Sequence, residues 1–338
     1  MNAQNPELPP VETSIPPEYK DRSTGLLVFG ILTILLGCMA GLFFLMMMMM
    51  VGQVAVRSTH APAATTSILL LDVFIYGSLA VALIWLGTGS IMARRWARAL
   101  LLIFSWSWLV MGVFAVLGVA VFLPVVLENI QAAAPPGQPA MPAAAIGVIM
   151  VITCLMLGVF FIAVPAVWIF FYKSRHVKAT CEARDPVTRW TDACPLPVLG
   201  LCLWLLFSAL MMLVMPVIVH GVMPFFGMFL TGLPGTAFCL AIAALWAWCA
   251  WLLYKLDARG WWLILIAMIV VAVSAVLTYA RHDVIEIYQL MGYPQEQIDQ
   301  IQKTGLLTGN RMTWITLFSI VPFLGYILFV KKYLRGKS

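Results

Sequence analysis

Eight runs of about 20 or more apolar residues dominate this sequence, and they leave it few possible folds. A helix of about 20 residues crosses the ~30 Å hydrocarbon layer of a bilayer. Inside that layer every backbone N–H and C=O must pair within the chain, and a helix meets this requirement by itself. The alternation of apolar and polar residues typical of barrel strands is absent from these runs. The sequence therefore predicts eight transmembrane helices, at residues 25–51, 67–93, 99–127, 146–172, 198–220, 236–254, 261–280 and 312–330.

The composition indicates a protein whose outer surface faces lipid. Of its 338 residues, 63% are hydrophobic and 10% are charged, whereas soluble domains carry about 25% charged residues. So little polar surface would not coat a water-soluble globule of this size. The net charge of +6 does not indicate nucleic-acid binding, because the basic residues flank apolar runs and form no basic stripe on a recognition fold. We therefore predict an all-α integral membrane protein that has the lipid bilayer as its partner.

Lysine and arginine are distributed unevenly between the two sets of loops. With both termini on one side, sixteen of these residues fall on that side and four fall on the other. Cytoplasmic loops of membrane proteins carry such an excess of Lys and Arg. The sequence therefore predicts a multi-pass protein of the cell (inner) membrane with both termini in the cytoplasm. The same excess supports an even number of spans independently of hydropathy.

A basic connector, residues 173–194, separates two blocks of four spans, 25–172 and 195–330. Short sequence similarities recur in the same order in both blocks: Val28-Phe29-Gly30 with Val198-Leu199-Gly200, residues 94–98 with 257–262, and Val164-Pro165 with Val321-Pro322. Because each block has an even number of spans, such repeats would be parallel. We predict two parallel four-helix repeats joined by a cytoplasmic connector.

The segments outside the spans have different predicted characters. Residues 1–24 are polar and proline-rich, as is typical of a flexible tail, and residues 331–338 form a basic tail. Apolar residues recur at helical spacing within 281–311, which predicts a short helical hairpin on the outer side, with a mere spacer as the alternative. The apolar stretch 223–235 has glycines and prolines that oppose a continuous helix, so it is predicted to be a re-entrant loop or an extension of the sixth span.

Glycine and proline inside the spans predict local features of packing. Gly37 and Gly41 lie four residues apart in the first span, a spacing that allows close approach of a second helix. The spans also contain prolines, which predict kinks: Pro124, Pro165, Pro216 and Pro322.

Asp72 is the one acidic residue inside a predicted span, and ionisable groups in spans often mark functional sites. Tyr76 follows one turn later on the same helical face. Asp72 is a candidate ligand for an ion or a proton, or a partner for His220 or Arg281 at other helix ends. The alternative is a carboxylate that reaches the hydrated headgroups.

The connector holds the sequence's best candidates for metal and lipid contacts. His176, Cys181 and Cys194 are possible metal ligands, although they lack the C-x2-C spacing of zinc knuckles, and free thiols are the alternative. Basic residues beside the apolar runs are candidates for anionic headgroups: Arg94, Arg95, Arg98, Arg175 and Lys178. No set of residues in the sequence points to a catalytic centre or a cofactor.

Two functions remain as hypotheses. The first is a non-catalytic scaffold or accessory subunit that binds partner helices, lipids or further copies of itself, favoured by an apolar interior with few ionisable groups. The second is a transporter of a small or hydrophobic solute, with a cleft between the two halves near Asp72.

Overall fold

The protein is a bundle of long helices in a computed structural model, which describes residues 19–57, 63–132, 142–303 and 309–334. The helices are α1 (Ser23–Arg57), α2 (Ala63–Ile91), α3 (Arg95–Ala132), α4 (Ala143–Gly158), α5 (Val164–Lys173), α6 (Arg175–Arg184), α7 (Leu196–Ile218), α8 (Gly232–Tyr254), α9 (Ala258–Tyr279), α10 (Val284–Leu290), α11 (Gln295–Lys303) and α12 (Gly309–Leu334). Two short strands, β1 (Met223–Phe225) and β2 (Met228–Leu230), lie between α7 and α8. The predicted tail residues 1–18 and 335–338 lie outside the described residues.

Eight helical segments of the described residues are long and apolar enough to cross a membrane, which confirms the prediction of an all-α multi-pass protein. Seven are single helices, and the eighth, Ala144–Lys173, combines α4, a π-helical turn and α5. The segment between α9 and α12 contains the short helices α10 and α11. Gly292, with φ +77°, lies in the break between these two helices.

The first two helices approach each other closely through glycines. A Cβ built on Gly30 would lie 2.9 Å from the carbonyl oxygen of Gly87, and one built on Gly87 would lie 2.7 Å from the carbonyl oxygen of Gly30. At Gly37 a Cβ would lie 2.9 Å from Ile84, whereas at Gly41 the nearest atom is 3.9 Å away on Ala80. The close approach therefore depends on three glycines, one of them in α2, and hardly on Gly41.

The fourth span contains a π-helical turn, Val159–Ala163, directly before Val164 and Pro165. Pro165 has no N–H to bond the carbonyl four residues earlier, which belongs to Phe161. That carbonyl lies against Gly112 of α3, and a Cβ at Gly112 would overlap it. A π turn of this kind inserts one extra residue into the helix. Here it accompanies a direct backbone contact between the third and fourth spans.

The turns between spans two and three and between spans six and seven have the same backbone hydrogen bonds. In the first, Ala93 N–H donates to Ser90 and Arg94 N–H donates to Gly89; in the second, Leu256 N–H donates to Leu253 and Asp257 N–H donates to Leu252. This is the Schellman arrangement, whose penultimate residue is left-handed. Ala93 (φ +52°) and Leu256 (φ +59°) adopt that conformation without being glycines.

Each half also has a tyrosine of its last span bonded towards the start of its first span. The hydroxyl of Tyr172 lies 2.7 Å from Ser90 Oγ, and Ser90 donates to the carbonyl of Leu26 at 3.1 Å. In the second half, Tyr326 donates directly to the carbonyl of Pro197 at 2.8 Å. The first half thus links the end of its last span to the beginning of its first through Ser90, and the second half makes this link directly.

Replacing Ser90 by alanine should lower the stability of the first half. The hydroxyl is buried and joins α1, α2 and α5, so its loss leaves the Tyr172 hydroxyl without this partner. Interhelical hydrogen bonds in membrane proteins average about 0.6 kcal/mol, and an unsatisfied buried group costs about 1–3 kcal/mol. Thermal unfolding of the detergent-purified protein measures the loss. Ser319→Ala is the control, because Ser319 is exposed and bonds only within its own helix, and an equal effect of both variants would contradict the role of Ser90.

The two halves contact each other through α3. Trp204 of α7 donates from Nε1 to Ser107 Oγ at 2.8 Å, and Phe114 lies edge-on to Phe318 of α12 with ring centroids 5.5 Å apart. A Cβ on Gly200 would lie 2.9 Å from the Tyr326 hydroxyl and 3.6 Å from Ile103. These contacts are spread along α3 over about three turns, so the halves pack directly on each other along this helix.

Residues 223–230 form an antiparallel β-hairpin, and α8 begins at Gly232. The predicted extension of the sixth span is therefore correct only for residues 232–235, and the re-entrant loop stays a prediction. Met223 pairs with Leu230 and Phe225 pairs with Met228. Phe226 (φ +42°) and Gly227 (φ +90°) form the tip. A hairpin satisfies backbone groups that an irregular apolar turn would leave unpaired, which explains strands in an otherwise helical protein.

The hairpin tip is held by hydroxyl groups of α9. Ser274 and Thr278 are 3% and 0% exposed, and they accept hydrogen bonds from the N–H groups of Phe226 and Gly227 at 2.9 and 3.0 Å. His282 adds a contact from Nε2 to the carbonyl of Gly227 at 3.1 Å, while its Nδ1 lies 2.8 Å from Glu286. Two side chains of α9 and one from the turn after it thus position the tip.

We expect Thr278→Val to release the hairpin tip. Valine preserves the shape of threonine but leaves the Gly227 N–H without its acceptor, at a cost of about 1–3 kcal/mol. Amide hydrogen exchange of residues 226–230 should become at least several-fold faster. Thr278→Ser keeps the hydroxyl and serves as the control. Unchanged exchange in the valine variant would show that the hydroxyl does not hold the tip.

Candidate functional site

Polar and charged side chains gather at one end of the bundle, which we call the basic end: the connector 173–194, the turns at 92–94 and 255–257, and the C-terminal end of α12. Lys331 near the end of α12 lies 4.2 Å from the Trp261 ring at the start of α9. The N-terminal stretch reaches the same end, since Lys20 N–H donates to His176 Nδ1 at 3.3 Å and Arg22 N–H donates to Thr180 Oγ1 at 3.1 Å. The described ends of the chain therefore lie on one side of the bundle.

The connector contains an ordered helix, α6, which packs on the bundle. Ser174 caps it by accepting a hydrogen bond from His176 N–H at 3.3 Å. Val177, Thr180 and Cys181, at helical spacing, are at most 1% exposed. Although the connector is polar overall, α6 has one narrow buried face, and Cys181 belongs to that face.

Asp185 is the centre of the charged groups at the basic end. Its side chain is 2% exposed and accepts hydrogen bonds from Arg95 N–H at 3.3 Å and from Arg189 Nη2 at 3.1 Å. Arg94 Nη1 lies 3.7 Å away. Burial alone would raise the pKa of Asp185, but the hydrogen bonds and nearby arginines outweigh it and lower the pKa below 3.8. The carboxylate is therefore ionised at neutral pH and caps the start of α3.

In the equivalent turn of the second half, 255–257, the residue directly before α9 caps that helix. Asp257 accepts from Arg259 N–H at 2.9 Å and caps α9 directly. Arg94 occupies the corresponding place before α3, and Asp185 of the connector supplies the carboxylate there. The connector therefore completes a helix cap that the first half does not provide by itself.

Lowering the pH should selectively weaken the contact made by Asp185. Because its folded-state pKa is lowered, its contribution is fully present above the unfolded value near 3.8 and is lost as the pH falls through the folded value. The stability difference between the wild type and Asp185→Asn should thus be constant from pH 7 to about 5 and shrink below about pH 4. Melting temperatures at matched pH measure it. A difference that persists unchanged at pH 3 would contradict the assignment.

Beside Asp185 lies an open pocket of about 330 Å³ between α3, α6 and the start of α7. Arg95 reaches both carboxylates of this pocket, Asp192 at 3.5 Å and Glu182 at 3.7 Å. Lys178 lies 3.8 Å from Glu182. Arg98, the third cation of the pocket, makes no hydrogen bond or ion pair with the residues that the structure describes, and its Nε is buried.

The predicted metal ligands are not brought together as a metal site. In the described ranges, no three His, Cys, Asp or Glu side chains are grouped so that they could hold a metal ion. His176 bonds the N-terminal stretch, whereas Cys181 and Cys194 are 0% and 6% exposed. Burial raises the pKa of each thiol to about 11, so both are protonated at neutral pH and weakly reactive.

The residues predicted around Asp72 are also not joined to one another. Asp72 is half-buried in α2 and makes no hydrogen bond or ion pair within the described part of the chain; Tyr76 packs against Phe43 with ring centroids 5.6 Å apart. His220, with φ +52°, lies in the turn that follows the end of α7 at Ile218. Arg281 covers the hairpin tip, where a Cβ on Gly227 would lie 2.8 Å from its Nη1.

The candidate headgroup residues divide into two groups. Arg94 and Arg95 are engaged with acidic side chains, as is Lys178. Arg98 faces the pocket, and Arg175 is exposed at the start of α6. Sequence reasoning missed Asp185 as an organising residue. The four-residue spacing of Lys178 and Glu182 is that of a pair on one helical face, and both residues lie in α6. Asp185 and Arg189 have the same spacing but lie beyond the end of α6, so helix periodicity gave no signal for Asp185.

Comparison with known proteins gave no match to a family model, a curated protein or a solved structure.

Proposed function

We propose that the protein is a non-catalytic membrane scaffold or accessory subunit that binds partner helices, lipids or further copies of itself. The direct packing of the two halves along α3 is the observation that carries this proposal, because a solute cleft between them would have to replace the Trp204–Ser107 and Phe114–Phe318 contacts. Large apolar side chains are instead exposed around the outside of the bundle, for example Met156 at 65% and Val81 at 71%.

The proposal includes a topology in which the basic end faces the cytoplasm and the chain lies in the cell (inner) membrane. The excess of lysine and arginine in the connector and tails supports this orientation. Contacts of Lys20 with the connector and of Lys331 with α9 support termini on the same side.

The proposal also includes two parallel four-helix repeats. The shared hydrogen bonds of the 90–94 and 253–257 turns support it. A second similarity is a close contact between the two helices that flank each turn, in which a glycine lies on one helix or the other. In the first half a Cβ on Gly89 would lie 2.7 Å from Ala97 Cβ, and in the second half a Cβ on Gly260 would lie 2.7 Å from Leu252 Cβ. The glycine stands on the helix before the turn in one half and on the helix after it in the other.

Purification from the native membrane in a mild detergent tests the scaffold function. A photo-crosslinking amino acid at Met156 or Val81 should form a covalent adduct with another protein or a second copy, and the same partner should co-purify with the wild type at fixed stoichiometry. Both side chains are exposed, so these substitutions leave the packing intact. A monodisperse monomer without protein adducts at either position would contradict the scaffold function.

Transport is the second candidate, and the half-buried Asp72 without a described partner is the observation that favours it. An ionisable group in a span is costly and is commonly part of an ion or proton path. Wild-type protein in liposomes should then dissipate an imposed pH gradient, reported by an entrapped dye, and Asp72→Asn should not. Equal rates in protein-free and wild-type liposomes would remove proton-coupled transport through Asp72.

A further inference from the structure

The pocket at the basic end has an unbalanced charge. It is lined by three cations, Arg95, Arg98 and Lys178, and by two carboxylates, Glu182 and Asp192. Arg95 and Lys178 are within 3.5–3.8 Å of those carboxylates. Arg98 feels the charges of the same two carboxylates but forms no direct ion pair with a described residue, so the pocket keeps one cation more than it has carboxylates. The two lining thiols, Cys181 and Cys194, have pKa values raised to about 11 by burial and so add no negative charge at neutral pH.

The guanidinium of Arg98 faces the pocket, where a bound anion would accept its hydrogen bonds. Arg98 follows Arg95 by three residues on the same face of α3, and its buried Nε has no hydrogen-bond partner among the described residues. A partly buried guanidinium without an acceptor is unfavourable, and its planar fork matches the oxygens of a phosphate or carboxylate. The pocket volume of about 330 Å³ lies within the usual range of small-ligand sites.

The position of the pocket favours phosphate among these anions. Its walls include Ala99 and Leu196, in the first turns of two spans that begin at Arg95 and Leu196. The pocket therefore lies where these spans enter the apolar layer, which is the level of lipid phosphates. An apolar groove of about 260 Å³, lined by Trp190, Leu199 and Trp251 among others, flanks the same 190–192 turn and has room for part of an acyl chain.

We propose that this pocket binds a phosphate-bearing anion through Arg98, either the headgroup of an anionic phospholipid or free phosphate. The site goes beyond the scaffold function and does not depend on it, because it needs only the contacts of α3, α6 and the 190–192 turn. Lys178 of α6 lines the same pocket and assists. Binding places the ligand between the first half, the connector and the start of the second half.

The test uses the full chain, delipidated in detergent, with three probes: dioleoylphosphatidylglycerol, dioleoylglycerol, which lacks the phosphate, and inorganic phosphate. Native mass spectrometry counts retained lipid, and thermal shift reports phosphate. We expect one phosphatidylglycerol per chain, no retained dioleoylglycerol, and at least tenfold weaker phosphatidylglycerol binding in Arg98→Gln. Arg259→Gln is the matched control, since Arg259 is 85% exposed in the equivalent turn of the second half.

The outcomes separate the two sources. Binding of phosphatidylglycerol alone identifies a lipid headgroup, and Arg98-dependent binding of inorganic phosphate identifies free phosphate as sufficient; both support the site. A second measurement covers an Arg98→Gln variant that fails to fold: in the wild type, phosphatidylglycerol should slow amide exchange at residues 178–192. The proposal is wrong if neither phosphatidylglycerol nor inorganic phosphate binds, or if either binds equally well to Arg98→Gln. It is also wrong if phosphatidylglycerol leaves amide exchange at residues 178–192 of the wild type unchanged.

Discussion

Replacing Gly112 by alanine should lower the melting temperature of the protein by about 5 °C, corresponding to about 2 kcal/mol, and valine should lower it further. The added Cβ would overlap the carbonyl of Phe161, which Pro165 has freed from its usual hydrogen bond. Neither atom is the end of a flexible side chain, so the third and fourth spans must separate. Thermal unfolding of the detergent-purified protein, followed by tryptophan fluorescence, measures this effect.

Gly118→Ala is the matched control for Gly112→Ala. Gly118 lies in the same helix, and nothing is within 4 Å of a Cβ built there. Alanine is favoured over glycine in helices by about 1 kcal/mol, so this variant should be neutral or slightly more stable. Equal behaviour of the two alanine variants would mean that the contact between α3 and the π turn is not the close one described.

The second large effect is expected when Asp185 is replaced by alanine. Removing one partner of a buried charge group commonly costs about 3–5 kcal/mol, and about 1–3 kcal/mol is a fairer expectation here because Arg94 and Arg189 are more than a third exposed. The loss should be local, because α6 would detach from α3. Limited proteolysis within residues 175–192 should become at least tenfold faster.

Two further variants show whether the effect belongs to Asp185 itself. Glu182→Ala removes a 42% exposed carboxylate of α6, the helix that ends just before Asp185, and should change the proteolysis rate little. Asp257→Ala removes the cap of the second half, at about 1 kcal/mol, without affecting the connector. Equal protection of the connector in the wild type and Asp185→Ala would contradict its role as the organising carboxylate.

The spans were predictable because lipid imposes a length and a composition that leave little freedom. The details that shape the bundle were not, since they depend on contacts between distant segments. Pro165 indicated a kink in the fourth span, but it did not indicate the π turn before it. In that turn the carbonyl of Phe161 contacts Gly112, which lies about 50 residues earlier in the sequence. The hairpin 223–230 was missed because its backbone groups are satisfied partly by Ser274 and Thr278 of another helix.

The candidate site was predictable in its charges and not in its arrangement. The basic residues beside the spans were identified, whereas Cys181 was considered a metal ligand because it lies in a polar segment. Its burial follows from the helical spacing of Val177, Thr180 and Cys181, which makes it a small apolar residue of the face that α6 packs on the bundle. The turn before α3 has Arg94 where the turn before α9 has the capping residue Asp257, so Asp185 of the connector caps α3 instead. This difference becomes apparent only when the two turns are compared.

Protease protection of tags in sealed membrane vesicles tests the central claim most directly, namely that the chain crosses a membrane eight times with the basic end on one side. One tag is placed at each terminus and a third within residues 133–141. The account predicts that both terminal tags are digested from the same side and that the third is digested from the opposite side. Terminal tags in opposite compartments, or a third tag that shares the compartment of the termini, would contradict it.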